Sequence, residues 1–382
     1  MRRTRFWFAV AIVLVISVTG FSSGGQTQNG VAVKINDKEL VAEVEKFLDE
    51  QAKAGKFSGA VLIAKDGKPI FKQAYGPANK SKNQPNKVDT KFVLGSMNKM
   101  FTAVAITQLA EQGKLWFDDK VGKHLPNYPN KVVAEKVTIH QLLTHSSGLG
   151  DYFNDKFPAK RNSIRTVADY LSLFVDDPLV FEPGTRFQYS NAGFIVLGAI
   201  IEKVSGQSYY DYVREHIYKP AGMKNSDDWE MTEAIPNAAM GYALIDGTGP
   251  IEGPRRENTD TRPNKGGPAG GGYSTVEDLL SFANALLGHK LLTTRYTNLM
   301  LSAKVPWTMG GQGNFYAYGF VDSSSTSGHR TLIVGHTGGA PGIAGHLTML
   351  PELGYTVAGL SNYGVPALAP VMRKISGLIT GP

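Results

Sequence analysis

Cysteine is absent from all 382 residues, and that one absence excludes thiol nucleophiles, Cys-ligated zinc, iron–sulfur clusters and disulfide-stapled folds. Metal-ligand spacing is missing too. No His-Glu-x-x-His occurs, and the eight histidines, at 124, 140, 145, 216, 289, 329, 336 and 346, form no pair at helical ligand spacing. Neither a metal nor another cofactor is expected. A membrane-spanning run is also lacking: the apolar stretch over residues 6–18 has 13 residues, against the roughly 20 a helix needs to cross a bilayer. Its setting, behind Arg2, Arg3 and Arg5 and before the small residues 19–25, predicts a secretory signal peptide over 1–25. The mature chain is then expected in the periplasm or outside the cell, or anchored in the membrane if that segment stays uncleaved. An excess of charge is scarce as well. Three of the formal net +7 are those arginines, and the other lysines are scattered among Gly, Asp and apolar residues. That is a solvated surface, with no nucleic-acid partner expected.

What is present is a sequence 42% hydrophobic, long enough for two modest domains or one two-lobed one. Apolar periodicity predicts a helix over 40–51, and runs at 59–64 and 69–75 predict a hairpin turning on Asp66-Gly67. Further helices are expected over 99–112 (Phe101, Val104, Ala105 and Leu109 on one face), from a Thr138 cap to 143, over 194–204 closed by Gly206, over 209–217, from about 274 to 287, and over 367–379. Strands are expected over 316–321, 330–334, 345–350 and 355–360. The fold class is α/β (α+β): an antiparallel sheet flanked by helices and built from both chain ends, with an inserted helical lobe. We draw one two-lobed domain over 31–382, its sheet lobe being 31–92 plus 266–382 and its helical lobe 93–265. The glycine-rich stretch 266–272 follows no strand and precedes no Gly-Lys-Ser/Thr, so it is a flexible or tightly packed loop and not a phosphate cradle.

A Gly-x-Ser-x-Gly pattern at 20–24 falls in the leader, without the strand-turn-helix context that exposes a nucleophile. The informative serine is Ser96. With Lys99 it forms Ser-x-x-Lys at a helix start, one turn apart on one face, so the amine can reach the hydroxyl. An amine whose pKa is depressed accepts the serine proton, and the helix N-terminus favours the developing alkoxide. A capping serine beside a solvated lysine is the competing explanation, since such a pair arises about once by chance in a chain this long. Tyr189-Ser190-Asn191 precedes an apolar helix and can aim a phenol and an amide inward. The same spacing recurs at Tyr128, Tyr152 and Tyr296; Tyr152 is the serious rival. Third, Gly335-His336-Thr337-Gly338-Gly339 ends an apolar run and leads to the turn Ala340-Pro341-Gly342, a small-residue strand edge that a substrate backbone can approach.

In this order, the three motifs resemble the serine hydrolases related to class C β-lactamases and low-molecular-weight penicillin-binding D,D-peptidases, over 59–378. Leu142 to Leu149, Pro220 to Met223 and Gly270 to Ser274 look like landmarks of the same family. The resemblance implies Ser96 as acylated nucleophile, Lys99 as its activating partner and Tyr189 as the acid/base serving the leaving group. It also implies Asn191, His336, Thr337, Gly338 and Gly339 as substrate-binding positions, the oxyanion being held by the amides of Ser96 and Gly339, while His145 and Ser146 hold a turn. His336 stands where many relatives carry lysine. An exported hydrolase acting through an acyl-enzyme on small esters, lactams or short D-amino-acid peptides is expected, the alternative being a penicillin-binding receptor that acylates and barely turns over. Neutral substrates are expected to be preferred to free carboxylates. Gly339 brings no hydroxyl, and His336 is mostly uncharged above its ordinary pKa of about 6.5, although Arg330 stands six residues away.

Overall fold

The computed structural model describes residues 35–245, 251, 253–307, 313–324 and 332–381. The expected signal segment, the pattern at 20–24 and Arg330 lie outside the described residues. Strand β1 (Gly59–Lys65) is buried along almost its whole length, which requires cover on both sheet faces. Successive side chains alternate: Ala60, Leu62 and Ala64 join the main core, Val61 and Ile63 a second one. The chain returns as β2 (Lys68–Tyr75) through Asp66 and Gly67, both at positive φ (50° and 74°). That is the hairpin turn whose twist suits the flanking strands.

The rest of the sheet comes from the far end of the chain: β3 (Val305–Pro306), β4 (Phe315–Tyr316), β5 (Val321–Asp322), β6 (Val334–Ala340), β7 (Ile343–Leu350) and β8 (Tyr355–Ser361). β8 pairs antiparallel with β1, Gly59 opposite Ser361, and the order is β2-β1-β8-β7-β6-β5-β4-β3. An antiparallel sheet assembled from both chain ends is what the distribution of apolar runs predicts. Two strands differ from expectation. The single strand predicted over 316–321 is a hairpin, because Gly319 turns at φ 70° and a methyl there would meet Ala103 at 2.5 Å. The strand expected to end at 334 instead begins there and runs through His336 to Ala340.

The long helices are α1 (Asp37–Lys53), α2 (Asn98–Glu111), α3 (Asn191–Ser205), α4 (Val276–Leu287) and α5 (Val365–Thr380). Leu40, Val44 and Leu48 of α1 and Leu368, Val371 and Ile375 of α5 form the second core with Val61 and Ile63. Helix α2 departs from its predicted one-sided pattern and is buried on every side from Asn98 to Ala110. It lies among other helices, Phe101 meeting Phe282 of α4 and Tyr218 edge-on at 4.9 and 5.1 Å. Truncating Phe101 to Ala would cost about 3–5 kcal/mol. Phe92–Val93 pairs with Tyr273–Ser274, so the lobe boundary drawn at 92/93 falls within a strand shared by both chain segments. Among the described residues no helix is long and apolar enough to cross a membrane.

Candidate active site

Gly95, Ser96 and Met97 form a 3-10 turn that runs directly into α2, which sets the serine hydroxyl at a helix N-terminus. Gly95 turns at φ +57°, and a methyl there would lie 3.0 Å from the Gly339 nitrogen. A methyl on Gly338 would lie 1.8 Å from the Leu94 carbonyl oxygen and 3.0 Å from the Ser96 nitrogen. These two missing Cβ atoms let β6 press against the serine turn, so the amides of Ser96 and Gly339 border one gap.

Lys99, one turn along, is fully buried. Its Nζ donates to Asn191 Oδ1 at 2.7 Å and to the Ala269 carbonyl at 2.5 Å, and it lies 4.8 Å from the centre of the Tyr189 ring. Burial disfavours the ammonium and brings its pKa down to about 7, against the opposing pull of Asp151. This excludes the solvated-lysine explanation. In place of the expected direct reach to the serine, the amine turns to Asn191 and Ala269. Desolvation pushes the Tyr189 phenol up, while the Ser96 hydroxyl beside it pulls the other way.

Tyr189 is held from behind. Ser190 caps α3, its Oγ accepting from Gly193 N–H at 3.1 Å and donating to the Gly150 carbonyl at 2.6 Å. The Ser190 N–H donates to His145 Nδ1 at 3.1 Å, and the His145 ring lies 4.2 Å from that of Tyr189. His145 sits at φ 57°, and Ser146 Oγ shares a bond of 2.9 Å with Thr144 Oγ1, the turn-holding expected of both. The look-alike tyrosines go elsewhere. Tyr128 is buried, Tyr296 reaches the Ala110 carbonyl at 3.5 Å, and Tyr152 packs edge-on to Tyr170 at 5.0 Å.

His336 is buried and doubly bonded: Nδ1–H donates to the Thr337 carbonyl at 2.6 Å, and Nε2 accepts from the Tyr316 hydroxyl at 2.9 Å. Desolvation, reinforced by the charge of Lys99, lowers its pKa to about 3. The expectation that it titrates near 6.5 is therefore corrected. Thr337 and Gly338 border a small crevice with Val365 and Leu368 of α5. Gly339, by contrast, joins Ser96 and Asn191 in the wall of a cleft of about 1060 Å³. The other walls carry Tyr152, Phe153, Phe157 and Trp229, and the arginines Arg161, Arg256 and Arg262.

The β-lactamase family model matches residues 44–377. The chain belongs to the β-lactamase family. A penicillin-binding protein of Bacillus subtilis (strain 168) is 32% identical over 80% of this chain and 68% of its own length. The solved penicillin-binding protein of Bacillus halodurans is 33% identical, covers 88% of this chain and 98% of its own, and superposes with a TM-score of 0.76. A D-stereospecific amidohydrolase from Streptomyces is 25% identical over 89% of this chain and 98% of its own, with a TM-score of 0.71. Among the curated relatives the chain spans 62–68% of their length.

The site thus gathers Ser96, Lys99, Tyr189, Asn191 and Gly339 in one place, with the buried His336 near enough to feel the charge of Lys99. Sequence reasoning missed three participants. Asp151 accepts from Asn191 Nδ2 at 2.8 Å; it directly precedes Tyr152, the residue weighed against Tyr189. Ala269 acts through a main-chain carbonyl, which no side-chain pattern reports. Tyr316 lies on a strand that was expected, but its hydroxyl partner was not legible. Among the described residues no group of three or more His, Asp or Glu side chains is arranged to hold a metal ion.

Proposed function

We propose that the chain is an exported serine hydrolase that works through an acyl-enzyme on small esters, amides or lactams. The observation that carries this is a serine at a helix N-terminus with a phenol beside it and, one turn along, a fully buried lysine whose charge is disfavoured. Lys99, uncharged above about pH 7, takes the Ser96 proton as Oγ attacks the carbonyl carbon. The amides of Ser96 and Gly339 take the oxyanion, where fixed dipoles stabilise charge that develops only in the transition state. Tyr189 gives its proton to the leaving group and takes the Lys99 proton in return, and a water deprotonated by the same groups then attacks the acyl carbon and releases the acid. Asn191 orients the substrate amide or ester, and the Gly339–Ala340 end of β6 lies along it. The D-stereospecific amidohydrolase among the similar structures supports amides within the substrate range. Export rests on the basic, apolar and small-residue order of residues 1–25; N-terminal sequencing of the mature protein tests it.

The experiment is a substrate panel on purified protein, with short-chain p-nitrophenyl esters, nitrocefin and peptides ending in D-Ala-D-Ala, run beside Ser96→Ala. Ser96→Ala is expected to lose both turnover and covalent labelling by a fluorescent penicillin or a fluorophosphonate. Near-wild-type turnover in that variant would sink the reading. Stoichiometric labelling without turnover would favour the receptor-type alternative, which the similarity to penicillin-binding proteins supports.

A further inference from the structure

Asn191 has two ends, and only one orientation of its amide serves Lys99. Oδ1 accepts from the amine at 2.7 Å, so Nδ2 must face the other way, where Asp151 Oδ2 accepts from it at 2.8 Å. An ionised carboxylate only accepts, so it fixes which end of the amide faces the lysine. Asp151 is itself fixed. Its Oδ1 accepts from Phe153 N–H at 3.1 Å. Two donors thus hold one carboxylate, one on each oxygen, and neither is a substrate group.

We propose that Asp151 is a positioning residue for Lys99, orienting the Asn191 amide toward the amine and supplying the negative charge that balances the ammonium formed during acylation. The proposal rests on the reading that Lys99 accepts the Ser96 proton. The surroundings leave Asp151 this role. Of the titratable groups facing Lys99, His145 and His336 are held neutral by burial and the Tyr189 phenol is pushed up. Asp151 is the one that draws the lysine pKa upward. Asp151 faces Lys99 and the phenols of Tyr152 and Tyr189, whose ionisation it opposes.

The test is the pH dependence of the rate of Ser96 labelling by a fluorophosphonate, in wild type, Asp151→Asn, Asp151→Glu and Lys99→Ala. Without the negative charge the ammonium is less favoured, so the neutral amine survives to lower pH. In Asp151→Asn the acid limb should therefore move down by about one unit, the scale of an opposite charge within a few ångströms, and the plateau rate should fall because an amide partner no longer dictates the Asn191 orientation. Asp151→Glu should keep the limb near its wild-type position. Only folded protein labels, so the position of a limb does not depend on how much of a variant folds. A limb that stays put or moves up in Asp151→Asn, with Lys99→Ala inactive, overturns the role of Asp151 alone. Wild-type labelling by Lys99→Ala overturns the Lys99 reading, and Asp151 with it.

Discussion

Lys99 is fully buried, and its two acceptors do not fully offset the desolvation of an ammonium there. Its neutral form begins to dominate near pH 7, so the acylation rate is expected to drop as pH falls through about 7 and to level off above it. Stopped-flow labelling across pH 5–9 checks this, and a flat profile would exclude an amine base. Lys99→Ala should lower acylation by at least about 10²-fold, the usual scale for a lost proton acceptor. At the same scale the structure separates two tyrosines that sequence spacing alone could not. Tyr189 stands beside Ser96 with its ring centre 4.8 Å from the Lys99 amine, whereas Tyr152 packs among aromatic rings in the cleft wall. Tyr189→Phe should therefore cost turnover at saturating substrate, and Tyr152→Phe should act mainly on KM. The reverse order would move the phenol's role to Tyr152.

At the scale of elements, β6 is the strand that composition misplaced. An apolar run reads as strand, and Gly335-His-Thr-Gly-Gly reads as its end, because glycine packs nothing and is poor in strands. Here glycine is required for a different reason. Gly338 faces the Leu94 carbonyl so closely that even a methyl would overlap it, and the same contact sets the Gly339 amide beside Ser96. Gly338→Ala should consequently destabilise the fold by about 1–3 kcal/mol, the usual cost of overpacking, and abolish labelling even where the protein remains folded. Normal labelling by a folded Gly338→Ala protein would show that β6 does not need to lie this close. β1, β7 and β8 were legible, being apolar runs bounded by turn residues. Helix α2 was placed but not its burial on all sides, since periodicity reports one face and not what covers the others. Ser96 and Lys99 were legible because their contact with the reaction is local, three residues apart. Asp151 lies 40 residues from Asn191, a distance that only the folded chain closes.

On the scale of the whole molecule, joining the two chain ends in one sheet brings the third motif beside the serine and decides which charges meet a substrate. A free carboxylate needs a cation or hydroxyls near β6. His336 supplies no cation near neutral pH, since burial lowers its pKa to about 3, and Gly339 supplies no hydroxyl. Thr337 borders the crevice beside α5 and is not among the cleft walls. The arginines stand on other walls: Arg256 is paired with Asp260 at 2.5 Å, while Arg161 and Arg262 keep their charge and bond neutral groups, the Thr259 carbonyl at 2.9 Å and the Tyr273 hydroxyl at 2.7 Å. Much of the remaining wall is aromatic. Neutral acyl substrates should therefore be preferred, because a missing charge-assisted hydrogen bond is worth about 1.5–3 kcal/mol, more than tenfold in rate. The expected result is a higher kcat/KM for p-nitrophenyl butyrate than for a D-Ala-D-Ala peptide. Since esters are intrinsically more reactive than amides, the deciding comparison is that peptide against its own C-terminal amide, which shares the scissile bond and lacks only the charge. Equal or faster cleavage of the amide, with a ratio unchanged between pH 5 and 8, fits a site without a carboxylate anchor. A tenfold loss on amidation would overturn the preference, and its disappearance in Arg262→Ala would place the anchor on the wall that carries Arg262.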